Sequence, residues 1–381
     1  MRIAVVVRSL KIGGMERVAV DLAESFADNA HESHLIYFKN KNKALIPSKK
    51  VYLHHYNLEQ DLKKTIIGFF LHIFSKLFNI IFRRTYFFWQ GLFLSQIFKY
   101  KLYKTEKKYG KFDLIIVRGH GTIEFIWPLK DKRIVQMIES VFIAHGSFMM
   151  NFYLKCIYTN KNLACVSSGV KERLELAIKV ANVKPKSIHI INNPLNIKNI
   201  EILANEYKPS LKEVYIVSVT RLDINKNISF LIDSYAYARK FLNLKHKLVI
   251  VGDGNQKENI ITQVKSLNIE EFVIFTGLLK NPYPWIKNTK LLTMTSISEG
   301  LGMVLLEALA LHTKIISTDA EGGIRDIMKG ELSENISPFN TKRYAQIMMS
   351  ILESKNNLNT NNFLTPYTPK IIVEEYIKKY L

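Results

Sequence analysis

Two carboxylates separated by seven residues, Glu299 and Glu307, bracket a pair of glycines in the stretch SISEGLGMVLLEALALHTKIISTDAEGGIRD, residues 296–326. Gly300 and Gly302 fall between an apolar run that reads as a strand, Leu291–Thr293, and a helical pattern starting near Gly302. A glycine-rich turn from strand to helix lets backbone N–H groups approach an anion, and a helix N-terminus carries about half a positive charge. The phosphates of a nucleotide fit such a place. Glu307 lies about five residues, or ~7.5 Å, along the helix. From there a carboxylate can accept two hydrogen bonds from a diol such as ribose. Glu299, on the loop before the helix, faces the other end of the ligand. A capped helix with one solvated Glu would explain a single carboxylate, but not the pair with its glycines and the following strand.

A second pattern supports the first. In VSVTRLDINKN, Arg221 and Lys226 come directly after a strand, Val214–Val219. A nucleoside diphosphate leaving group requires cations or a metal. The chain contains no D-x-D triplet, so the expectation is no metal and no other cofactor, with Arg221 and Lys226 supplying the charge. A solvated loop would be the better reading of an isolated Arg/Lys pair; one that shares a domain with the Glu pair is better read as functional. VGDGN, residues 251–255, is a third strand-end turn, with Gly252 as its close-approach residue. Phe275–Gly277 would flank a base pocket. Near the N-terminus, Gly13 and Gly14 follow the strand Ile3–Val7 and open a helix, Met15–Phe26; this is either a tight turn or a ligand contact.

These residues need elements to hold them. Short apolar runs alternate with helical patterns, which argues for βαβ units and parallel sheets. Expected strands in the first half are Ile3–Val7, Leu35–Phe38, Leu114–Val117, Ile134–Ile138, Leu163–Val166 and Ile188–Ile191. In the second half they are Val214–Val219, Lys247–Val251, Val273–Phe275, Leu291–Thr293 and Lys314–Ser317. A length of 381 residues suits two domains. We expect an α/β chain of two doubly wound, Rossmann-like domains facing across a cleft: 1–195, a linker at 196–212, then 213–365. A final helix in 366–381 could return to the first domain. Two cysteines, Cys156 and Cys165, exclude a disulfide framework and read as ordinary thiols of a reducing compartment. The start of the chain reads as a strand, not a signal peptide.

Charge and aromatic residues are unevenly spread. Residues 1–195 hold 31 Lys and Arg against 14 Asp and Glu, a net +17, of the whole chain's +21. That half is built to meet something anionic. Within it, residues 61–110 form a helical insertion rich in Phe and Lys. Phe70, Phe74, Leu77, Phe78 and Ile81 recur at helical spacing, punctuated by basic residues. Its longest uncharged run, 85–98, is too short to span a bilayer. The pattern suits a helix lying in an anionic membrane interface; packing on the protein's own core is the alternative.

The 296–326 stretch resembles the donor-site signature of the retaining glycosyltransferases of family 4, the group 1 glycosyl transferases, with their E-x(7)-E motif and two-domain GT-B fold. The resemblance covers most of the C-terminal domain and, more weakly, the N-terminal one. It implies that Glu307 binds ribose and Glu299 contacts donor-sugar hydroxyls. It assigns backbone contacts with the diphosphate to Gly300, Leu301, Gly302 and Met303, and gives Arg221 and Lys226 the departing diphosphate. It places Gly13 and Gly14 in the family's first loop, near donor phosphate or acceptor. The chain departs from the pattern with LHTKII at 311–316 and with Asp326 where Glu is usual. It departs again after strand Ile134–Ile138, where the family commonly has a catalytic His and this chain has Glu139. Glu139 is the first choice for that role, ahead of His145 and His120. The resemblance implies a hexosyltransferase that moves sugar, retaining and without metal, from a nucleotide-diphosphate sugar, a UDP-sugar first. The acceptor would be a lipid-linked or lipopolysaccharide saccharide, and the enzyme would sit peripherally on the cytoplasmic membrane's inner face, with no role for nucleic acid. Two other classes fit the charge or the fold: a basic nucleic-acid-binding protein, and a non-catalytic membrane-associated partner that keeps the architecture.

Overall fold

The computed structural model describes every residue except 41–42, 65, 82–85, 120, 143–146 and 355–359. The chain divides into two compact units. The first comprises Met1–Val166, Val170–Pro194 and Pro369–Leu381; the second comprises Ser167–Gly169 and Leu195–Thr368.

The first unit contains β1 (Arg2–Ser9), β2 (Glu32–Lys39), β3 (Val51–His55), β4 (Leu114–Arg118), β5 (Ile134–Ile138), β6 (Asn162–Cys165) and β7 (Ser187–Ile190). They pair in parallel in the order β3-β2-β1-β4-β5-β6-β7. Ile3–Val7 of β1 is at most 1% exposed, as befits a central parallel strand covered on both faces. Successive connections run in opposite directions from β1 and β4, so the carboxyl ends of these two strands border the crevice where such sheets bind ligands. The edge strand β3 escaped the sequence reading, because VYLHH mixes two histidines and a tyrosine with few apolar residues. The closing helix, Pro369–Tyr380, buries Ile372, Val373 and Tyr376. Tyr376 meets Phe26 at 5.9 Å between ring centroids, and the Tyr380 hydroxyl donates to the Leu163 carbonyl at 2.5 Å.

The second unit contains β8 (Tyr215–Val219), β9 (Lys247–Val251), β10 (Val273–Gly277), β11 (Leu292–Met294), β12 (Ser298–Glu299), β13 (Ile315–Thr318), β14 (Glu321–Gly322) and β15 (Ile336–Ser337). The main sheet runs β10-β9-β8-β11-β13-β15, and β12 pairs with β14 as a separate small ladder. Its topological switch lies between β8 and β11. Residues 196–212, expected as a linker, begin instead as a packed helix, Ile197–Leu203, of this unit. Its Ile200 and the C-cap residue Ala204 are buried, and the Asn281 amide donates to the Leu203 carbonyl at 2.8 Å. An apolar i, i+4 pair is enough to seat so short a helix.

The insertion is a pair of helices, Ile66–Ile81 and Tyr86–Tyr109. Its first helix is turned inside out. Gly68, His72 and Ser75 face inward, and the His72 ring meets the Gln90 amide at 2.9 Å. Ile66, Phe70, Leu77 and Ile80 are exposed by 81, 65, 55 and 72%. Among the described residues, no helix is long and apolar enough to cross a membrane.

A partly buried histidine pair lies in the same unit. His34 Nδ1 meets His54 Nε2 at 2.8 Å, and His34 Nε2 meets Glu32 at 2.9 Å. The bond from Arg2 holds the Glu32 carboxyl down, to about 2. Burial lowers His34 and, with the neighbouring charges of His34 and Lys108, takes His54 down to about 4. Below pH 6.5 the unfolded chain therefore binds protons that the folded chain refuses, so acid favours unfolding. Between pH 7 and pH 5 this is about 1–2 kcal/mol after allowance for solvent screening. The melting temperature should fall by several degrees over that window, and His54→Asn should flatten the dependence. Equal slopes in both proteins would remove the pair as its cause.

Candidate active site

At the switch point of the second sheet, the loops leaving β8 and β11 are stitched together. Asp223 accepts from the backbone N–H groups of Asn225 and Lys226 at 3.1 and 3.3 Å, shaping the turn after β8. The Asn225 amide then donates to the Ser298 carbonyl at 2.8 Å and accepts from the Ser298 hydroxyl at 2.9 Å. The Thr295 hydroxyl donates to the Lys226 carbonyl at 3.0 Å. These five hydrogen bonds fix one side chain against another. Lys226 Nζ donates to Glu299 Oε1 at 2.6 Å, and the Ser296 hydroxyl donates to the same oxygen at 2.6 Å. The two charged side chains are 16 and 14% exposed. An ammonium has three donors, and among the described residues Lys226 uses one of them on a side-chain acceptor.

Glu299 leads straight into the anion-ready turn. Gly302 is left-handed, with φ 91°, and caps the helix Met303–Ala310 without a side-chain bond. An L side chain at this φ is strained, and a Cβ would approach Ile324 Cδ1 at 3.0 Å. The Gly322–Gly323 turn buttresses the loop from behind: Gly323 N–H donates to the Glu299 carbonyl at 3.1 Å, and a Cβ on Gly323 would strike the Gly300 carbonyl at 2.6 Å. Ser167 Oγ donates to that carbonyl at 2.6 Å. Asp326 accepts from the Ser168 N–H at 2.6 Å; it holds backbone, so its place in the usual Glu position has a structural use. Leu301 is 3% exposed and offers only its backbone. Met303 is the first residue of the helix.

Glu307 sits one turn further along this helix, where the Tyr283 hydroxyl donates to its Oε1 at 3.1 Å. Tyr283 is 2% exposed. Sequence reasoning missed it, because a tyrosine in NPYPW carries no ligand signal. Ser296 was missed too, although its Ser-x-x-Glu spacing to Glu299 is that of a side-chain-anchored turn.

Arg221 differs from expectation in its surroundings. Its side chain is 77% exposed and pairs with Asp223 at 3.2 Å, so Lys226, and not Arg221, is the cation built into the cluster. Gly252 makes a close approach of another kind than to a ligand: a Cβ there would meet the Thr220 carbonyl at 1.8 Å. Its N–H donates to the Gly277 carbonyl at 2.9 Å. Gly252 therefore closes the strand ends 220, 252 and 277 on one another.

In the first unit, the helix Gly14–Asp28 begins at Gly14 and is capped by Gly13. A Cβ on Gly14 would meet nothing within 4 Å, whereas one on Gly13 would strike the Glu16 carboxylate. Glu139, just past β5, is paired with the Arg118 guanidinium at the end of β4, their side chains 13 and 1% exposed. Arg118 also donates to Asn193 at 2.8 Å. The pairing fixes the direction of the Glu139 carboxylate. His120 and His145 lie outside the described residues.

Two Rossmann-like units, each built on a parallel sheet, have the architecture of the GT-B fold. The model of the family described as "Glycosyl transferases group 1" matches residues 199–367. The chain is 33% identical over 182 residues to an N-acetylgalactosamine-N,N'-diacetylbacillosaminyl-diphospho-undecaprenol 4-alpha-N-acetylgalactosaminyltransferase of Campylobacter jejuni, covering 48% of each. It is 29% identical over 235 residues to a lipopolysaccharide 1,6-galactosyltransferase of Salmonella typhimurium, covering 60% of this chain and 56% of that one. It thus spans about half the length of the curated relatives it matches. The structure of Anabaena HepE in complex with UDP and glucose superposes with a TM-score of 0.68 at 16% identity, over 99% of this chain and 98% of that one. Over residues 199–367 the chain is similar to the group 1 glycosyltransferases.

Proposed function

We propose that the chain is a retaining glycosyltransferase that moves a sugar from a nucleotide-diphosphate donor, a UDP-sugar first, to a saccharide carried on a lipid. The observation that carries this reading is the Lys226–Glu299 pair at 2.6 Å, held at the switch point beside the uncapped helix start at Gly302. The donor diphosphate would lie against the N–H groups of Gly300–Met303. Lys226, with Arg221 swinging from its exposed position, would offset the charge that develops as the sugar–phosphate bond breaks, without a metal. Glu299, pinned by Ser296, would orient the sugar hydroxyls, and Glu307 would hold the ribose diol. Glu139, fixed by Arg118, would be the carboxylate that the first unit contributes to the reaction. The C. jejuni and S. typhimurium relatives act, by name, on a diphospho-undecaprenol saccharide and on lipopolysaccharide, which supports a lipid-borne acceptor.

The exposed Ile66, Phe70, Leu77 and Ile80 face supports docking on a bilayer, with the chain peripheral on the inner leaflet. Burial of such side chains is worth about 1.5–3 kcal/mol each, and basic residues nearby add roughly 1 kcal/mol each at an anionic surface.

A thermal-shift screen of UDP-, GDP- and ADP-sugars tests the donor assignment. The true donor at about 100 times its dissociation constant should add about 2.7 kcal/mol of stability, with EDTA present or absent, and NMR of the product should show the donor's anomeric configuration kept. No shift with any nucleotide sugar would reject the site, and an inverted anomer would reject retention.

A further inference from the structure

We infer that Arg8 is an anion ligand of the acceptor site, built to take a phosphate of a lipid diphosphate. The inference rests on the lipid-borne acceptor proposed above. Arg8 is the penultimate residue of β1, at the β1/β4 switch point where a sheet of this order binds ligands. Its guanidinium is seated on purpose. The carbon Cζ lies 4.1 Å from the centre of the Phe87 ring and 5.8 Å from that of Phe125. On another side is Gly121, where φ is +78° and a Cβ would meet Arg8 Nη1 at 3.0 Å. A glycine in the left-handed region thus makes room for the cation, and two aromatic faces stack on it.

Yet this oriented charge has no carboxylate partner among the described residues, and its buried Nε atom has no hydrogen-bond acceptor. The nearby acids are spoken for. Glu16 accepts from the Ser9 hydroxyl at 3.0 Å. Glu124 accepts from the Gly121 N–H and from the Tyr153 hydroxyl, the latter at 2.8 Å. Holding a partly buried guanidinium without a counter-charge costs stability, and its planar fork matches the paired oxygens of a phosphate. Phe87, the ring beneath it, opens the second helix of the insertion whose first helix exposes the apolar face. A saccharide on a prenyl diphosphate has its phosphates at such a boundary between apolar and wet surroundings.

The test uses the whole chain and two soluble probes, geranyl diphosphate and UDP, with geraniol as the phosphate-free control. Arg8→Gln should weaken geranyl diphosphate binding tenfold to a hundredfold and leave UDP and geraniol unchanged, while Arg8→Lys should fall between. Lys226→Ala should do the reverse, weakening UDP and sparing geranyl diphosphate. Unchanged UDP affinity in Arg8→Gln also reports an intact fold. Geranyl diphosphate binding within twofold of wild type in Arg8→Gln overturns the inference while leaving the lipid-borne acceptor standing. No binding by the wild type itself removes that acceptor reading and the inference with it. Should Arg8→Gln instead weaken binding to phosphatidylglycerol vesicles and spare geranyl diphosphate, Arg8 belongs to bilayer headgroups and the acceptor assignment is overturned.

Discussion

Lys226→Ala lowers kcat/KM for sugar transfer at least a hundredfold, and Glu299→Gln lowers it well over tenfold. The expectation follows from what each side chain can do where it sits. Lys226 is the built-in cation of its cluster, 16% exposed, so the diphosphate's growing charge would meet it in a poorly screened place. Removing one such preorganised donor from a charge-developing site typically costs a factor of about 100–1,000. Glu299→Gln keeps the size of the side chain and its bond from Ser296, so the loop stays folded while the carboxylate is lost. Because the two groups touch at 2.6 Å, their effects should not add: the double variant should lose little more than Lys226→Ala alone. Initial rates with donor and acceptor in excess, then with each limiting, measure all three. Turnover unchanged in both single variants would sink the site.

The second large effect concerns the insertion. Phe70→Ser, Leu77→Ser and Ile80→Ser together should reduce binding to anionic vesicles at least a hundredfold and leave the melting temperature within about 2 °C. These side chains are already 65, 55 and 72% exposed, so folding gains little from them, whereas a bilayer would bury each for about 1.5–3 kcal/mol. Vesicle flotation and thermal melting give the two numbers. A triple variant that melts far lower, or that still floats with vesicles, would mean that the face serves the protein's own packing or does nothing at the membrane.

Much of the chain could be read before any coordinates, for a physical reason. Central parallel strands such as Ile3–Val7 and Lys247–Val251 are apolar throughout because both faces are covered. Edge pieces carry no such imprint, so Val51–His55, Ser298–Glu299, Glu321–Gly322 and Ile336–Ser337 went unseen. The Glu299/Glu307 spacing and the Lys226 loop were legible because their glycines, charges and helix start lie within a few positions of one another along the chain. Their supports were not: Ser296, Asn225, Tyr283 and the Gly322–Gly323 turn act through single hydrogen bonds and contacts that no periodicity announces.

Local order along the chain settled the α/β alternation, the glycine-rich turn between Glu299 and Glu307 and the amphipathic character of residues 66–81, since each depends on neighbours within a few positions. Tertiary structure alone decided which side of that helix is inward, with Gly68, His72 and Ser75 buried and Phe69, Phe70 and Phe74 out. It also decided that Lys226 pairs with Glu299 while Arg221 stands in solvent, and that Arg8 is stacked yet unpaired. These depend on contacts between residues tens of positions apart. Coulomb and burial energies act through space, and the order of residues along the chain does not record which distant groups will meet.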